Sequence, residues 1–262
     1  MIRLGLSGRI IEESGPKYQM SVTDFIAAAA QIGYRGVELR WGQLDHQTSD
    51  DDVARIAAAL TANNVACAFA NCLVKQTAHD LQHVRRMAEV ARSLATPYLR
   101  MGISDVQWVQ KACDIVSEHE VSVVVQIHTG GPTETIEGAM RVCQEVDRPN
   151  FGLTYEPANF VLVGRDYGQA ALETLGDKLF NVSLQNLKPV DTTEGEGVIV
   201  YQGHGFVRCD PNDPDGVNFS KAFAALKAVG YNGFATLIEP MSPVTESIAL
   251  AEAYYKKFKP LC

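Results

Sequence analysis

Short apolar runs in the sequence end repeatedly in side chains that can bind a metal ion or move a proton. Two carboxylates, two amides and an imidazole occupy these positions. Oxygen and nitrogen donors of this kind suit a hard or borderline divalent ion, with Mn²⁺ or Mg²⁺ favoured and Zn²⁺ as the alternative. The residues are Gln126, His128, Glu156, Gln185 and Glu239.

The apolar runs that carry these residues alternate with segments of helical periodicity. We count eight strand–helix repeats with no change in composition that would mark a second domain. This order predicts an α/β protein, a single (β/α)₈ TIM barrel over residues 1–262. Such a barrel keeps its chemistry at the carboxyl ends of its parallel strands, which is where the polar residues lie.

Local signals support the helices and mark one irregular segment. Ser21 and Ser49 each precede acidic residues at the start of a helical pattern, as N-caps do. Ser242-Pro243 predicts the start of the last helix. The segment 189–217 is polar and rich in glycine, without helical periodicity, and it predicts a functional loop or lid.

Composition bounds the class of protein. The chain of 262 residues has a formal net charge of −8, which disfavours nucleic acid as a partner. Its six cysteines show no Cys-x-x-Cys spacing and predict reduced thiols. The sequence shows no apolar run of membrane length and no leader, so we expect no membrane association and a cytoplasmic location. Assembly into a homo-oligomer is left open.

Further polar residues near the predicted strand ends are candidates for binding a substrate. Arg40 ends strand two and Arg100 lies in strand four, and either guanidinium could anchor an anion. Lys188 could bind an acidic group or polarise a carbonyl. His204 lies between glycines on the irregular segment and could close over a substrate. The substrate-binding candidates are Arg40, Asn71, Asn159, Lys188 and His204.

Three segments resemble one known family. Tyr155-Glu-Pro-Ala-Asn-Phe-Val-Leu-Val-Gly164 looks like the Asp-Pro-Ala-Asn-x-x-x-x-Gly segment of the xylose-isomerase-like sugar (phosphate) isomerase/epimerase superfamily. Gly33-Tyr-Arg-Gly-Val-Glu38 resembles its second strand, and the segment from Val229 to Glu239 resembles its last. The resemblance covers essentially the whole chain and implies a TIM barrel that acts on carbohydrates.

The resemblance also implies a set of metal ligands. Relatives hold a divalent ion with Glu, Asp, His and Glu on strands five to eight, which correspond here to Gln126, Glu156, Gln185 and Glu239. Of these, Glu239 alone keeps the family residue. Because an amide cannot act as a base, the symmetric pair of glutamates used by the epimerases is not preserved.

The function that the sequence favours is a metal-assisted isomerase or epimerase of a sugar or keto-polyol. Glu239 would be the base and His128 the partner acid. A sugar dehydratase or lyase shares the same first proton abstraction and stays an alternative. A degenerate, non-catalytic sugar-binding barrel is the other, and the two glutamines argue for it. A DNA-repair endonuclease is disfavoured because the chain lacks a basic groove.

Overall fold

The fold is a closed barrel of eight parallel strands, which confirms the predicted fold class. The computed structural model describes residues 1–239 and 244–262, without the side chains of residues 244 and 245. Consecutive strands are neighbours, and the last strand pairs with the first through Arg3 and Phe234. The strands are β1 (Arg3–Ser7), β2 (Gly36–Leu39), β3 (Ala66–Asn71), β4 (Tyr98–Arg100), β5 (Ser122–Gln126), β6 (Phe151–Tyr155), β7 (Leu179–Leu184) and β8 (Phe234–Leu237).

Helices surround the barrel and pack apolar faces against it. Ser21 and Ser49 cap the first two helices by accepting hydrogen bonds from the N–H groups of Asp24 and Asp52, as the sequence predicts. The predicted start of the last helix at Ser242-Pro243 lies outside the described residues. The helices are α1 (Val22–Ile32), α2 (Asp50–Ala62), α3 (Asp80–Ser93), α4 (Val106–Ser117), α5 (Ile136–Val146), α6 (Pro157–Leu162), α7 (Gln169–Leu175), α8 (Phe219–Ala228) and α9 (Val244–Phe258).

The irregular segment after β7 forms regular structure, which corrects the prediction of a loop there. Three antiparallel strands, Leu187–Val190, Ile199–Tyr201 and His204–Arg208, make a small sheet that we call the mouth sheet. Its tight turn is Gln202-Gly203, where both residues have positive φ, as a two-residue hairpin requires. The β-branched and aromatic residues flanking this turn are the signal that sequence reasoning missed.

The tip of the mouth sheet is tied to the loop after β5. The hydroxyl of Tyr201 donates a hydrogen bond to the Glu134 carboxylate, which also accepts from the N–H of Gly130 at 2.6 Å. These two hydrogen bonds lower the pKa of Glu134, since they stabilise its ionised form. The sheet therefore extends from the end of β7 across to the loop that follows β5.

A short turn after β1 also contributes to the mouth. A 3₁₀ turn, Gly8–Ile11, follows β1 directly and carries Arg9, and a two-stranded hairpin, Glu12–Ser14 with Lys17–Tyr18, comes next. The Tyr18 hydroxyl donates to the carbonyl of Trp41 at 2.6 Å, which ties this hairpin to the end of β2. No helix in the described part of the chain is long and apolar enough to cross a membrane.

We expect Tyr201→Phe to loosen the mouth sheet without unfolding the barrel. The change removes one hydroxyl whose described partners are Glu134 on the loop after β5 and Gln202 in the turn of the sheet. Hydrogen-exchange mass spectrometry should show faster exchange over residues 199–206, while the barrel strands exchange at the wild-type rate. Unchanged protection of the mouth sheet would mean that its tip is held by other contacts.

Candidate active site

The polar residues at the ends of β5 to β8 form one connected group. Glu156 is 1 % exposed, and its two carboxylate oxygens accept hydrogen bonds from different side chains. The amide of Gln126 donates to Oε2 and the amide of Gln185 donates to Oε1. Since ionised Glu156 can only accept, each glutamine must turn its NH₂ group toward it. Glu156 is thus held from both sides by neutral donors.

Glu239 is bound by a different set of donors. It is 3 % exposed, and its Oε1 accepts from the backbone N–H of Asn186 and from the Tyr254 hydroxyl at 3.4 Å. Its Oε2 accepts from the guanidinium of Arg208 at 2.7 Å. Arg208 is the last residue of the mouth sheet, so the sheet places a positive charge against this carboxylate.

Burial changes the acidity of both glutamates. Removal from water raises the pKa of Glu156 to about 7, against the opposing fields of Arg100 and Arg9, and the negative charge of Glu239 acts in the same direction as burial. Burial also raises the pKa of Glu239, while Arg208 and the N–H of Asn186 oppose the shift. Glu156 is therefore poised to gain or lose a proton near neutral pH.

Arginines surround these carboxylates. The negative charges of Glu156 and Glu38 act on the guanidinium of Arg9. Arg100 and Glu156 also interact through their opposite charges. Burial lowers the pKa of Arg9, and the neighbouring cations lower it further. The four arginines of the mouth are Arg9, Arg40, Arg100 and Arg208.

Two of these arginines were not among the sequence candidates. Arg9 follows directly after the first strand, so its position at a strand end was an available signal. Arg208 is 31 residues from Glu239 in sequence, and the mouth sheet brings the two side chains together. Without that sheet the sequence gives no reason to pair them.

Arg40 and Asn71 belong to a network around Glu38. Glu38 is fully buried at the end of β2, and its Oε1 accepts from the amide of Asn71 and from Arg40 at 3.4 Å. Arg40 also donates to Glu12 at 2.8 Å. Arg100 lies 3.7 Å from the same oxygen of Glu38. The network joins the ends of β2, β3 and β4.

A cavity of about 310 Å³ opens beside this network, between the ends of β3, β4 and β5. Asn71, Arg100, Gln126 and His128 line it. His128 is exposed, and its Nδ1 lies 2.9 Å from the carbonyl oxygen of Thr129. An Nδ1–H bonded to that carbonyl leaves Nε2 available to a ligand. Gln126 links the cavity to Glu156.

The remaining substrate-binding candidates have other partners. Asn159 is buried, and its amide donates to the carbonyl of Ile127 at 2.8 Å, which fixes the end of β5. Lys188 pairs with Asp213 at 2.7 Å. His204 is exposed beside the turn of the mouth sheet. None of these three side chains makes a described contact with the carboxylate of Glu156 or Glu239, so their binding of substrate stays a prediction.

The residues at the ends of β5 to β8, as arranged, do not fit a divalent ion. A metal ion would have to compete with the N–H and O–H donors that are directed at all four carboxylate oxygens of Glu156 and Glu239. Arg208 places a cation against Glu239. Among the described residues no group of three or more His, Cys, Asp or Glu side chains could hold a metal ion. We therefore derive no chemical step through a metal.

We expect the wild-type protein to bind Mn²⁺ negligibly and the triple variant Gln126→Glu, Gln185→His and Arg208→Ala to bind it. The variant replaces two amides with a carboxylate and an imidazole and removes the competing guanidinium. Isothermal titration calorimetry with Mn²⁺ measures both. The double variant that keeps Arg208 should bind less tightly than the triple variant. Stoichiometric Mn²⁺ binding by the wild type would contradict the assignment.

We expect Glu156→Gln to remove a pH dependence of stability. The unfolded chain releases this proton near pH 4.5, whereas the folded protein keeps it to about pH 7. As pH rises across this window the unfolded state ionises first, so the wild type loses about 3 kcal/mol of unfolding free energy. Urea denaturation should therefore show that the unfolding free energy of the variant, relative to that of the wild type, is higher at pH 7.5 than at pH 5. A constant difference between variant and wild type would contradict the raised pKa.

Comparison with known proteins places the chain in a family. The sequence matches the family described as "Xylose isomerase-like TIM barrel" over residues 26–256. No curated protein matches the sequence.

Solved structures with the same fold include D-allulose 3-epimerase from Methylomonas sp. in complex with D-allulose, at 18 % identity and TM-score 0.72, covering 100 % of this chain and 97 % of that one. The probable 3-DHS dehydratase of petrobactin synthesis from Bacillus anthracis has 16 % identity, TM-score 0.74 and coverage of 98 % and 99 %. An IOLI protein with a bound zinc atom has 16 % identity, TM-score 0.73 and coverage of 99 % and 98 %. The match to the family over most of its length shows that the chain belongs to the xylose isomerase-like TIM barrel family.

Proposed function

We propose that the chain is an enzyme that moves a proton at the carbon next to the carbonyl of a small sugar-like molecule, as an isomerase or epimerase. The observation that carries the proposal is the pair of carboxylates, Glu156 and Glu239, buried together at the mouth of the barrel. Burial is costly for ionisable groups, and perturbed acidity in a barrel mouth is typical of acid–base catalysis.

Glu239 is the base in this proposal, as the sequence favours. The guanidinium of Arg208 at 2.7 Å stabilises its ionised form, even though burial raises its pKa. Arg208 lies on the mouth sheet, so displacement of the sheet frees Oε2 for a substrate C–H group. The same guanidinium is then available to a carbonyl or hydroxyl oxygen of the substrate.

Glu156 is the partner acid. With a pKa of about 7 it is partly protonated at neutral pH and can give a proton to the substrate oxygen. Glu239 takes the proton from carbon, the electron pair of the C–H bond forms the C=C bond of an enediol, and the carbonyl oxygen receives the proton of Glu156. Return of the Glu239 proton to the former carbonyl carbon, with loss of the O–H proton at the neighbouring carbon to Glu156, gives the isomer. Protonation of the original carbon on its opposite face by water, with the O–H proton returned to Glu156 and the Glu239 proton released to solvent, gives the epimer.

The carbohydrate class is supported by the family and by one neighbour. The Methylomonas epimerase was crystallised with D-allulose, and its chain covers the same length of fold. Amide and guanidinium side chains line the cavity here, which suits a ligand rich in hydroxyl groups. A dehydratase would share the first proton abstraction and then expel a hydroxide in place of reprotonation.

The test is hydrogen exchange from substrate carbon to solvent. Keto-sugars and acidic keto-sugars are incubated with the enzyme in deuterated water, and loss of the C–H signal is followed by proton NMR. We expect Glu239→Gln to slow exchange by at least about 100-fold, because it removes the base. The matched control is Glu145→Gln, an exposed carboxylate on α5. Full exchange activity in Glu239→Gln would refute the proposal.

A second candidate function is supported by one observation. Because donors of the protein itself reach every oxygen of Glu156 and Glu239, the site is also complete as a non-catalytic sugar-binding barrel. Binding of a sugar by the wild type without hydrogen exchange would favour this second function.

The variant His128→Asn tests the role of acid that the sequence predicts for His128. A loss of hydrogen exchange comparable with that of Glu156→Gln would assign the proton to His128.

A further inference from the structure

Arg100 has a buried donor at the barrel mouth that no described carboxylate satisfies by a hydrogen bond. Arg208 is hydrogen-bonded to Glu239 at 2.7 Å, and Arg40 to Glu12 at 2.8 Å. The nearest carboxylate oxygen to Arg100 is Glu38 Oε1 at 3.7 Å, which is beyond hydrogen-bond distance. Its Nη1 is a buried donor with no hydrogen-bond partner among the described residues.

Glu38 does not satisfy this donor. Its Oε1 accepts from the amide of Asn71 and from Arg40, and its Oε2 has no described hydrogen-bond partner, so Nη1 of Arg100 is hydrogen-bonded to neither oxygen. Arg9 adds a further positive charge nearby, and it has no hydrogen-bonded carboxylate in the described part of the chain. A buried guanidinium donor without an acceptor is costly and is satisfied by an anionic group that enters beside it.

The cavity gives such a group room. Arg100 lines it together with the neutral side chains of Asn71 and Gln126, and no carboxylate is among its lining residues in the described part of the chain. The loops on its open side contain Gly102, Gly130 and Gly131, where an added Cβ would meet no atom within 4 Å. These glycines leave the backbone open to a ligand oxygen.

We propose that this cavity binds the carboxylate or phosphate of an acidic sugar derivative, with Arg100 as its anchor, so that the substrate is anionic. The inference rests on the proposed function. A guanidinium presents paired N–H donors that match a planar carboxylate or a phosphate, which a neutral hydroxyl group does not. Because the chain carries a net charge of −8, selection of an anion must come from this local arrangement.

The experiment compares three keto-sugars of six carbons each: fructose as the neutral probe, fructose 6-phosphate as the phosphate and 2-ketogluconate as the carboxylate. Isothermal titration calorimetry gives their affinities for the wild type. We expect at least one anionic sugar to bind about tenfold or more tightly than fructose, since a hydrogen bond to a charged group contributes that much. The anion that binds more tightly shows whether the cavity prefers a phosphate or a carboxylate.

Arg100→Gln should abolish this preference, and Arg100→Lys should keep part of it because the charge remains without the paired donors. The matched control is Arg55→Gln, which changes an exposed arginine that pairs with Asp52 on α2. It should bind as the wild type does. Circular dichroism establishes that each variant is folded. If Arg100→Gln does not fold, the Arg100→Lys result and the wild-type ranking of the three sugars decide.

Equal affinity for fructose and both anions, no binding of either anion, or an unchanged preference in a folded Arg100→Gln variant would overturn the anchor. The proposed reaction fails separately. Anion binding that depends on Arg100, without any solvent exchange, would leave the anchor and remove the isomerase. Exchange of fructose hydrogens without anion preference would leave the isomerase and remove the anchor.

Discussion

Two carboxylates removed from water constrain the arrangement of the whole barrel mouth. A buried carboxylate is tolerated when donors satisfy its oxygens or when it holds a proton. Glu156 meets this requirement with two glutamine amides and a pKa of about 7. Glu239 meets it with a backbone N–H and a guanidinium. The two carboxylates have different electrostatic surroundings, because Glu156 has only neutral donors hydrogen-bonded to it while Glu239 has a cation.

The mouth sheet supplies one of the donors that buried Glu239 requires. It begins directly after β7 and ends at Arg208, so its length and register set where the guanidinium meets Glu239. Its tip is held by Tyr201 and Glu134 on the far side of the mouth. The proposed reaction requires this cation to move away from Glu239 with the sheet. In the proposed reaction the sheet would thereby link access to the site with the positive charge beside Glu239.

Much of the barrel was predictable because each signal is local. The capping residues Ser21 and Ser49, and the apolar runs that end in Gln126 and Glu156, depend only on neighbours in sequence. The barrel topology then brings the strand ends together. The partners of each donor are not local. Whether Gln126 turns its amide nitrogen or its oxygen inward depends on Glu156, and Arg208 reaches Glu239 only through a hairpin whose Gln202-Gly203 turn sequence reasoning overlooked.

The two glutamines gain a physical explanation from the same network. If Gln185 were histidine and Gln126 glutamate, three carboxylates would meet at the mouth, and a cation would be needed to hold them. With amides in these places the negative charge is limited to Glu156 and Glu239, and Arg208 balances the latter. The two amides and the guanidinium beside Glu239 therefore act together to limit the charge of the mouth. Either one alone would leave the mouth with unbalanced charge, which is why the triple variant should bind Mn²⁺ more tightly than the double.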